Sequence, residues 1–186
     1  MKKLSLLLTC TLIMSVSVIS LSHAQENTKK KAKSAASTAD NSAMPYTATY
    51  SSKFVMGDPA HSKLIMELWK DYDDNAFDRH ADMFADTAMI FLSDGQVIKG
   101  RDNMMAGVKQ YRGSIASVKS DVHAIMSLKS VDRNENWVAI WGTENDTWKD
   151  GKTSSVELHE IWRLNKDGKV DVIRQFTRKT APENKE

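Results

Sequence analysis

Apolar and polar positions recur along the chain with two different periods, and the change of period divides its central part in two. Between residues 58 and 112, large apolar side chains recur every three or four positions, the spacing of one helix face. After Gly113 they recur at every second position, the spacing of one strand face. Helices followed by consecutive strands predict an α+β domain with its helices on one side of an antiparallel sheet.

The first half of this region predicts three helices and one short strand. Asp58 followed by proline is typical of a helix start, because the side chain caps the helix and proline lacks only an N–H that would be unpaired there. A second helix is predicted from about residue 78, with Phe84 buried, followed by a strand over 88–92. A third helix is predicted after Gly100. The apolar stripe of the first helix is Leu64, Ile65, Leu68, Trp69 and Tyr72.

The second half predicts long strands separated by turns at 149–152 and 165–169. Glu160 alternates with Leu158 and Trp162, so we expect it to face the helices. On the strand before it, the residues expected to face inward are Trp137, Ala139, Trp141, Thr143, Asn145 and Thr147. On the first long strand and the last strand, shared faces are expected for Val118, Val122, Ala124, Met126 and Leu128, and for Ile173, Gln175 and Thr177.

The N-terminus has the pattern of a secretory signal. Two lysines precede a mostly apolar run from Leu4 to Leu21, and Ala24 is the small residue that a signal peptidase prefers. The sequence therefore predicts a signal peptide over 1–24 and an exported protein, periplasmic or secreted, without stable membrane insertion after cleavage. The predicted segments that follow are a flexible linker over 25–57, one domain over 58–180 and a disordered tail over 181–186.

Charge and cysteine content narrow the classes of function. The single cysteine, Cys10, lies in the predicted signal, so a mature chain would have no disulfide, no cysteine nucleophile and no cysteine-bound metal. The formal net charge is +2, and the lysines of the signal and linker leave the domain slightly negative. Nucleic-acid binding is not expected, because that binding depends largely on neutralising phosphates. His80, His123 and His159 lack metal-ligand spacing, so neither a metal nor another cofactor is predicted.

Two stretches, “LWKDYDDNAFDRHADMFADTAMIFLSDGQVIKGRDNM” and “HEIWRLNKDGKVDVIRQF”, resemble the nuclear transport factor 2-like superfamily, especially its SnoaL-like branch. The resemblance extends over residues 58–178. It implies a cone-shaped, cystatin-like fold in which a curved antiparallel sheet packs on N-terminal helices, and a homodimer formed through the sheet. It also implies a small-molecule pocket at the mouth of the cone.

The resemblance implies no steroid-isomerase chemistry, because the matched positions depart from that mechanism. The place of the general base falls on Leu92, which cannot take a proton, whereas the hydrogen-bonding acid falls on Glu160. The tyrosine of the first helix matches only Tyr72, one turn further along. Glu160 is then either a pocket acid with a raised pKa or a strand-end glutamate near the mouth.

Three functions remain open from the sequence. The first is a non-catalytic domain that binds a small apolar ligand; the second is a cyclase, isomerase or dehydratase with Glu160 as general acid and base; the third is a dimerisation module. The residues expected to contact a ligand are Tyr72, Leu92, Trp141, Thr143, Asn145, Trp162 and Gln175.

Overall fold

The structure is a computed structural model that describes residues 45–180. The helical elements come early and the long strands late, in the order that the periodicity predicts. The helical elements are α1 (Pro59–Asp73), a 3₁₀ segment (Phe77–Met83) and α2 (Arg101–Arg112). The strands are β1 (Phe54–Met56), β2 (Phe84–Phe91), β3 (Val97–Lys99), β4 (Ile115–Ser130), β5 (Glu135–Trp148), β6 (Thr153–Leu164) and β7 (Val170–Lys179).

All seven strands belong to one open sheet, in the order β1-β4-β5-β6-β7-β2-β3. Neighbours are antiparallel except β2 and β7, which run parallel. The predicted α+β class with a largely antiparallel sheet is therefore confirmed. After β2 and β3, helix α2 carries the chain to β4, toward the opposite edge of the sheet. The chain returns to β2 only through β5, β6 and β7, so β2 and β7 are not joined by a hairpin and can run parallel.

Both helices contribute to one core on the same face of the sheet, which we call the inner face. Ile65 of α1, Met104 of α2, and Val138 and Ile140 of β5 are almost completely buried in this core. The opposite face of the sheet is called the outer face. Burying these apolar side chains provides most of the favourable free energy that holds helices on sheet.

Helix α1 begins as the sequence predicts. The Asp58 side chain accepts a hydrogen bond from the backbone N–H of Ala60 at 2.9 Å, and proline occupies the next position. At the other end, the buried guanidinium of Arg112 donates to the carbonyls of Tyr72 and Asp73 at 2.9 and 2.8 Å. It also donates to the carbonyl of Ile115, so one side chain joins the ends of both helices to β4.

The predicted second α-helix is wrong in type. Residues 77–83 form a 3₁₀ segment, and Phe84 is buried as the first residue of a strand that starts four residues before the predicted 88–92. The helical conformation is interrupted at His80, so a regular α-helix does not continue through this segment. At its other end β2 stops at Phe91, so Leu92 lies just beyond the strand instead of within it.

The inward-facing residues of β5 are also predicted wrongly. Val138 and Ile140 face the core, and in a strand the side chains alternate, so the even-numbered positions are the inner ones. Trp141, Thr143 and Asn145 therefore lie on the outer face. The error has a physical reason: bulky tryptophans on the outer face resemble a core pattern. They are instead covered by outer-face side chains such as that of Arg163, whose guanidinium lies 5.7 Å from the ring centre of Trp137.

Strand β4 does not keep one face throughout. Its register with β5 shifts between Val122 and Ala124, which is a β-bulge. Val118, before the bulge, lies opposite an inner-face residue, whereas Met126, after it, lies opposite the outer-face residue Ala139. The prediction that the apolar residues of this strand share a single face is therefore wrong, because one inserted residue reverses the alternation.

The domain begins before residue 58, within the predicted linker. Strand β1 pairs with β4 at the edge of the sheet, and Tyr50 donates from its hydroxyl to Glu135 Oε2 at 2.5 Å. The guanidinium of Arg133 lies 4.4 Å from the centre of the Tyr50 ring. The predicted signal peptide, the linker up to residue 44 and the tail over 181–186 lie outside the described residues. Between residues 45 and 180, neither helix has the length and apolar character needed to cross a membrane.

Candidate functional site

Glu160 lies on the inner face of β6, as predicted, and is only 6% exposed. Its Oε2 accepts hydrogen bonds from the indole Nε1 atoms of Trp69 and Trp162, at 2.8 and 3.0 Å. Its Oε1 accepts a hydrogen bond from Nε2 of Gln175 at 3.1 Å. Donors from α1, β6 and β7 thus meet on one carboxyl group, and the predicted neighbours Trp162 and Gln175 are among them.

Burial raises the pKa of Glu160, and the three hydrogen bonds act in the opposite direction without cancelling that rise. Within residues 45–180, no cationic side chain forms an ion pair with it. Both carboxyl oxygens already accept N–H groups of the protein itself. The arrangement ties α1 to the sheet and leaves neither oxygen free of an internal donor.

A second pair of carboxyl groups lies on the same face, nearer the C-terminal end of β5. Glu144 and Asp146 are 8% and 4% exposed and, being two positions apart in a strand, point the same way. The hydroxyl of Tyr72 lies 3.5 Å from Glu144 Oε1, a long hydrogen bond. Ser154 donates from its hydroxyl to Asp146 Oδ2 at 3.3 Å. Neither carboxyl group takes part in an ion pair with a described side chain.

Burial, followed by the charges of Asp146 and Glu160, raises the pKa of Glu144 to about 8. Burial also raises the pKa of Asp146 and, more strongly, that of the Tyr72 hydroxyl. Near neutral pH, Glu144 is therefore mostly a neutral carboxylic acid. Asp146 Oδ1 is buried and accepts no hydrogen bond from any described donor, so a proton held by Glu144 is the group that can bridge to it.

Glu144 and Asp146 are not among the predicted site residues, because the predicted inner face of β5 is the wrong one. The available signal was the pair Val138 and Ile140, which are β-branched and lie on the same face as the two acids. Extending that alternation by two residues at a time leads directly to Glu144 and Asp146.

Three of the predicted ligand residues do not join this site. Trp141 packs against His159 on the outer face, with ring centres 5.5 Å apart. Thr143 Oγ1 lies 3.2 Å from a ring nitrogen of His123. Asn145 donates from its side-chain amide to Asp121 Oδ2 at 3.2 Å. Since the sheet separates these residues from Glu160, they cannot line one pocket with it.

Leu92 and Tyr72 do lie on the side of the helices. Leu92 is partly buried and packs against the core, so the position that the resemblance gives to a base holds an alkyl side chain. The ring of Tyr72 packs edge-on against Phe77, with centres 5.7 Å apart.

Among residues 45–180, no three His, Cys, Asp or Glu side chains are grouped to hold a metal ion. His80 instead contacts the buried carboxylate of Asp71, at 2.6 Å from Nδ1 to Oδ2. Two open clefts, of about 490 and 520 Å³, lie at the β5–β6 turn and between the 3₁₀ segment and α2. Neither is lined by Glu144 or Glu160.

Comparison with solved structures identifies the fold. A SnoaL-like protein of Shewanella denitrificans OS-217, named as a candidate polyketide cyclase, matches with a TM-score of 0.55 and 7% identity, over 65% of this chain and 92% of its own. An LEH-like epoxide hydrolase of M. tuberculosis matches with a TM-score of 0.53 and 11% identity, over 63% and 82%. A nuclear transport factor 2-like protein of unknown function from Burkholderia pseudomallei matches with a TM-score of 0.53 and 14% identity, over 63% and 90%.

The chain therefore has the nuclear transport factor 2-like cone fold, as the sequence predicts. No protein-family model and no curated protein matches the sequence. The identities are too low to transfer an activity from the structural neighbours, because this fold carries several unrelated functions.

Proposed function

We propose that the protein is an exported domain that binds a small ligand at the inner face of its cone, beside Glu144 and Asp146. The supporting observation is that two buried carboxyl groups lie together there without an ion pair, and that the partners of Glu144 are the carboxyl group of Asp146 and a long contact with Tyr72. Burying two carboxyl groups side by side costs free energy that apolar side chains would not cost, so the pair is not what folding alone would favour. Groups of this kind, with raised pKa values, cluster at functional sites.

Glu160 has a positioning role in this proposal, because its two oxygens are held by Trp69, Trp162 and Gln175. Through these contacts it holds α1 in its orientation on β6 and β7. The ligand would bind further along the inner face, beside Glu144, whose partners are a long contact with Tyr72 and the carboxyl group of Asp146. The body of the ligand would contact partly buried apolar side chains such as Phe77 and Val156.

Acid–base catalysis is the second candidate, and the pKa of Glu144 near 8 is the observation that favours it. A carboxylic acid with such a pKa can donate a proton near neutral pH and take it back. In the enzymatic alternative Glu144, rather than Glu160, would be the general acid. The steroid-isomerase route has no support, because Leu92 occupies the base position.

Export and dimerisation complete the proposal. Export is supported by the N-terminal pattern, with cleavage after Ala24. A homodimer through the outer face is supported by the aromatic row formed by Trp141, His159 and Phe176, in which Phe176 is 54% exposed. N-terminal sequencing of the purified protein tests the cleavage site.

Native mass spectrometry of the protein purified from expressing cells tests ligand binding. We expect the wild type and the control Glu157→Gln, an exposed position on the outer face, to carry the same additional small-molecule mass. Glu144→Gln should carry less of it. A wild-type protein that carries no additional mass, and takes up none from a soluble extract of its own cells, would contradict the proposal.

A further inference from the structure

We propose that residues 74–83 form a gate over the inner face, which opens by local unfolding while the sheet stays folded, and that the Asp71 side chain is its latch. This gate segment joins α1 to β2 and contains the 3₁₀ turns Phe77–Met83. The inference rests on the proposed ligand-binding function, because the gate gives a ligand its route to the inner face. It adds the contacts that hold this route closed.

The gate segment is weakly packed in comparison with the elements it joins. None of the residues from Phe77 to Met83 is fully buried, whereas Trp69 of α1 and Phe84 of β2 are. Phe77, Ala81 and Met83 are partly buried against the core. Because little apolar surface is removed from water here, packing stabilises the segment only weakly, and segments of this kind open locally.

The backbone of the gate segment is irregular. Asn75, just before the 3₁₀ turns, has a φ of 53°, a left-handed conformation that is uncommon for residues other than glycine. Ala76 begins the first turn without a cap from any described side chain, and His80 leaves the helical conformation with a φ of −128°. The hydrogen bonds of 3₁₀ turns also have poorer geometry than those of an α-helix. Regular backbone hydrogen bonding therefore does not hold the segment in place.

One buried carboxylate holds the gate segment on α1. The Asp71 residue is 2% exposed, and its Oδ1 accepts a hydrogen bond from the guanidinium of Arg79 at 3.0 Å. Its Oδ2 lies 2.6 Å from Nδ1 of His80, and its backbone carbonyl accepts the N–H of Ala76 at 2.8 Å. Hydrogen bonds to an ionised carboxylate are stronger than those between neutral groups. Asp71 thus supplies through polar contacts the attachment that packing does not.

On the side of α2, the gate segment borders open space. The cleft of about 520 Å³ is lined by Asp78 and Asp82 of the segment and by Met105 of α2, among others. Lys109 of α2 forms an ion pair with Asp78, whose side chain is 84% exposed. Exposed ion pairs contribute little to stability. The segment is therefore held firmly on the side of α1 and weakly on the side of α2, where it has room to move.

Opening of the gate segment would uncover Tyr72. The ring of Phe77 packs edge-on against the ring of Tyr72, with centres 5.7 Å apart. The hydroxyl of Tyr72 lies 3.5 Å from Glu144 Oε1. Withdrawal of Phe77 therefore exposes a ring next to Glu144, beside which the ligand is proposed to bind.

Native-state hydrogen exchange of the ligand-free protein tests the gate. The reporters are the amides of Arg79 and Phe84, which donate to the carbonyls of Ala76 and Ala81. We expect both to exchange at least about a hundred times faster than the amides of β5, at rates that low concentrations of urea barely change. If the reporters show the same rates and the same urea dependence as β5, the segment opens only when the whole domain unfolds, and the gate is overturned.

The variant Asp71→Asn tests the latch. It removes the charge that Arg79 and His80 contact, so we expect exchange of the reporters to rise at least about tenfold while β5 is unchanged. The matched control is Asp82→Asn, which removes an exposed carboxylate from the segment itself and should change neither region. An equal rise in all amides would overturn the latch, because Asp71 would then support the whole fold. The urea dependence of the wild type needs no variant, so it tests the gate even if Asp71→Asn does not fold.

Failure of the gate and failure of the ligand proposal give different results. Additional small-molecule mass on a protein whose reporters exchange only by global unfolding would overturn the gate and support ligand binding. Fast local exchange in a protein that carries no additional mass would support the local opening and contradict the ligand site.

Discussion

Two carboxyl sites lie on the same face of the same sheet and differ in how their oxygens are satisfied. Glu160 accepts three N–H donors from three elements, whereas Glu144 has one long contact with Tyr72 and a carboxyl neighbour, Asp146. Both are buried, so burial alone does not separate a structural acid from a functional one. The difference in hydrogen-bond partners does: the first group serves the fold, and the second is the one beside which we propose that a ligand binds.

The largest effect is expected when Glu160 is truncated. Glu160→Ala would leave the indole N–H groups of Trp69 and Trp162 unpaired in the core and create a cavity. We expect a loss of about 4 kcal/mol in the free energy of unfolding, measured by urea denaturation.

The control for this variant is Glu157→Ala on the same strand. Among the described residues, its ion pair is the exposed one with Arg178, so we expect little change in the free energy of unfolding. Equal losses in the two variants would show that the internal hydrogen bonds of Glu160 do not stabilise the fold.

The second effect is a loss of stability with rising pH, which we attribute to Glu144. The folded-state pKa, near 8, lies above the ordinary value of 4.5, so the folded state holds the proton more tightly than the unfolded state. The resulting stability is fully present below pH 4.5 and is lost as pH rises through 8. We expect the free energy of unfolding, measured by urea denaturation, to fall by about 3 kcal/mol between pH 6 and 9.

Glu144→Gln should flatten this dependence, because the amide resembles the neutral acid and can donate to Asp146. Glu157→Gln should leave it unchanged, since that exposed carboxylate has a lowered pKa and titrates below the window. A wild-type stability that rises between pH 5 and 9 would contradict a neutral Glu144.

The smallest effect is expected when Trp69 is replaced by phenylalanine. Trp69→Phe keeps an aromatic ring in the core and removes one of the three donors to Glu160. We expect a loss of about 1–2 kcal/mol in thermal unfolding. The proposed ligand site at Glu144 should be unaffected, so an unchanged additional mass of this variant in native mass spectrometry would sharpen the distinction between the two acids.

The sequence predicts the fold class and the environment of Glu160 for a common reason. On β6, four large apolar residues share the face of Glu160, namely Val156, Leu158, Trp162 and Leu164, against Ile161 on the other face, so the pattern favours the correct inner face. The helix start at Asp58 is equally local, because its signal is a capping side chain next to proline. Features decided within a few residues are therefore predicted correctly.

The second carboxyl site was not predicted because its position depends on tertiary contacts. On β5 both faces carry large apolar side chains, and the outer tryptophans are covered by residues from distant strands, as Arg163 covers Trp137. The bulge of β4 between Val122 and Ala124 likewise reverses a face, and the glycine that marks it lies on the partner strand: a Cβ on Gly142, opposite Val122, would be 2.5 Å from the carbonyl oxygen of Asp121. Periodicity cannot resolve such faces, since it reads one strand at a time.

The most direct test of a neutral Glu144 is a carbon NMR titration of the glutamate side-chain carboxyls from pH 4 to 10. We expect one carboxyl carbon to titrate near pH 8 and to be missing from the spectrum of Glu144→Gln. The Glu160 signal, assigned with Glu160→Gln, should titrate separately. If every glutamate titrates near pH 4.5 and Glu144→Gln removes only one of these ordinary signals, Glu144 is ionised at neutral pH and is not the neutral acid on which the proposed site depends.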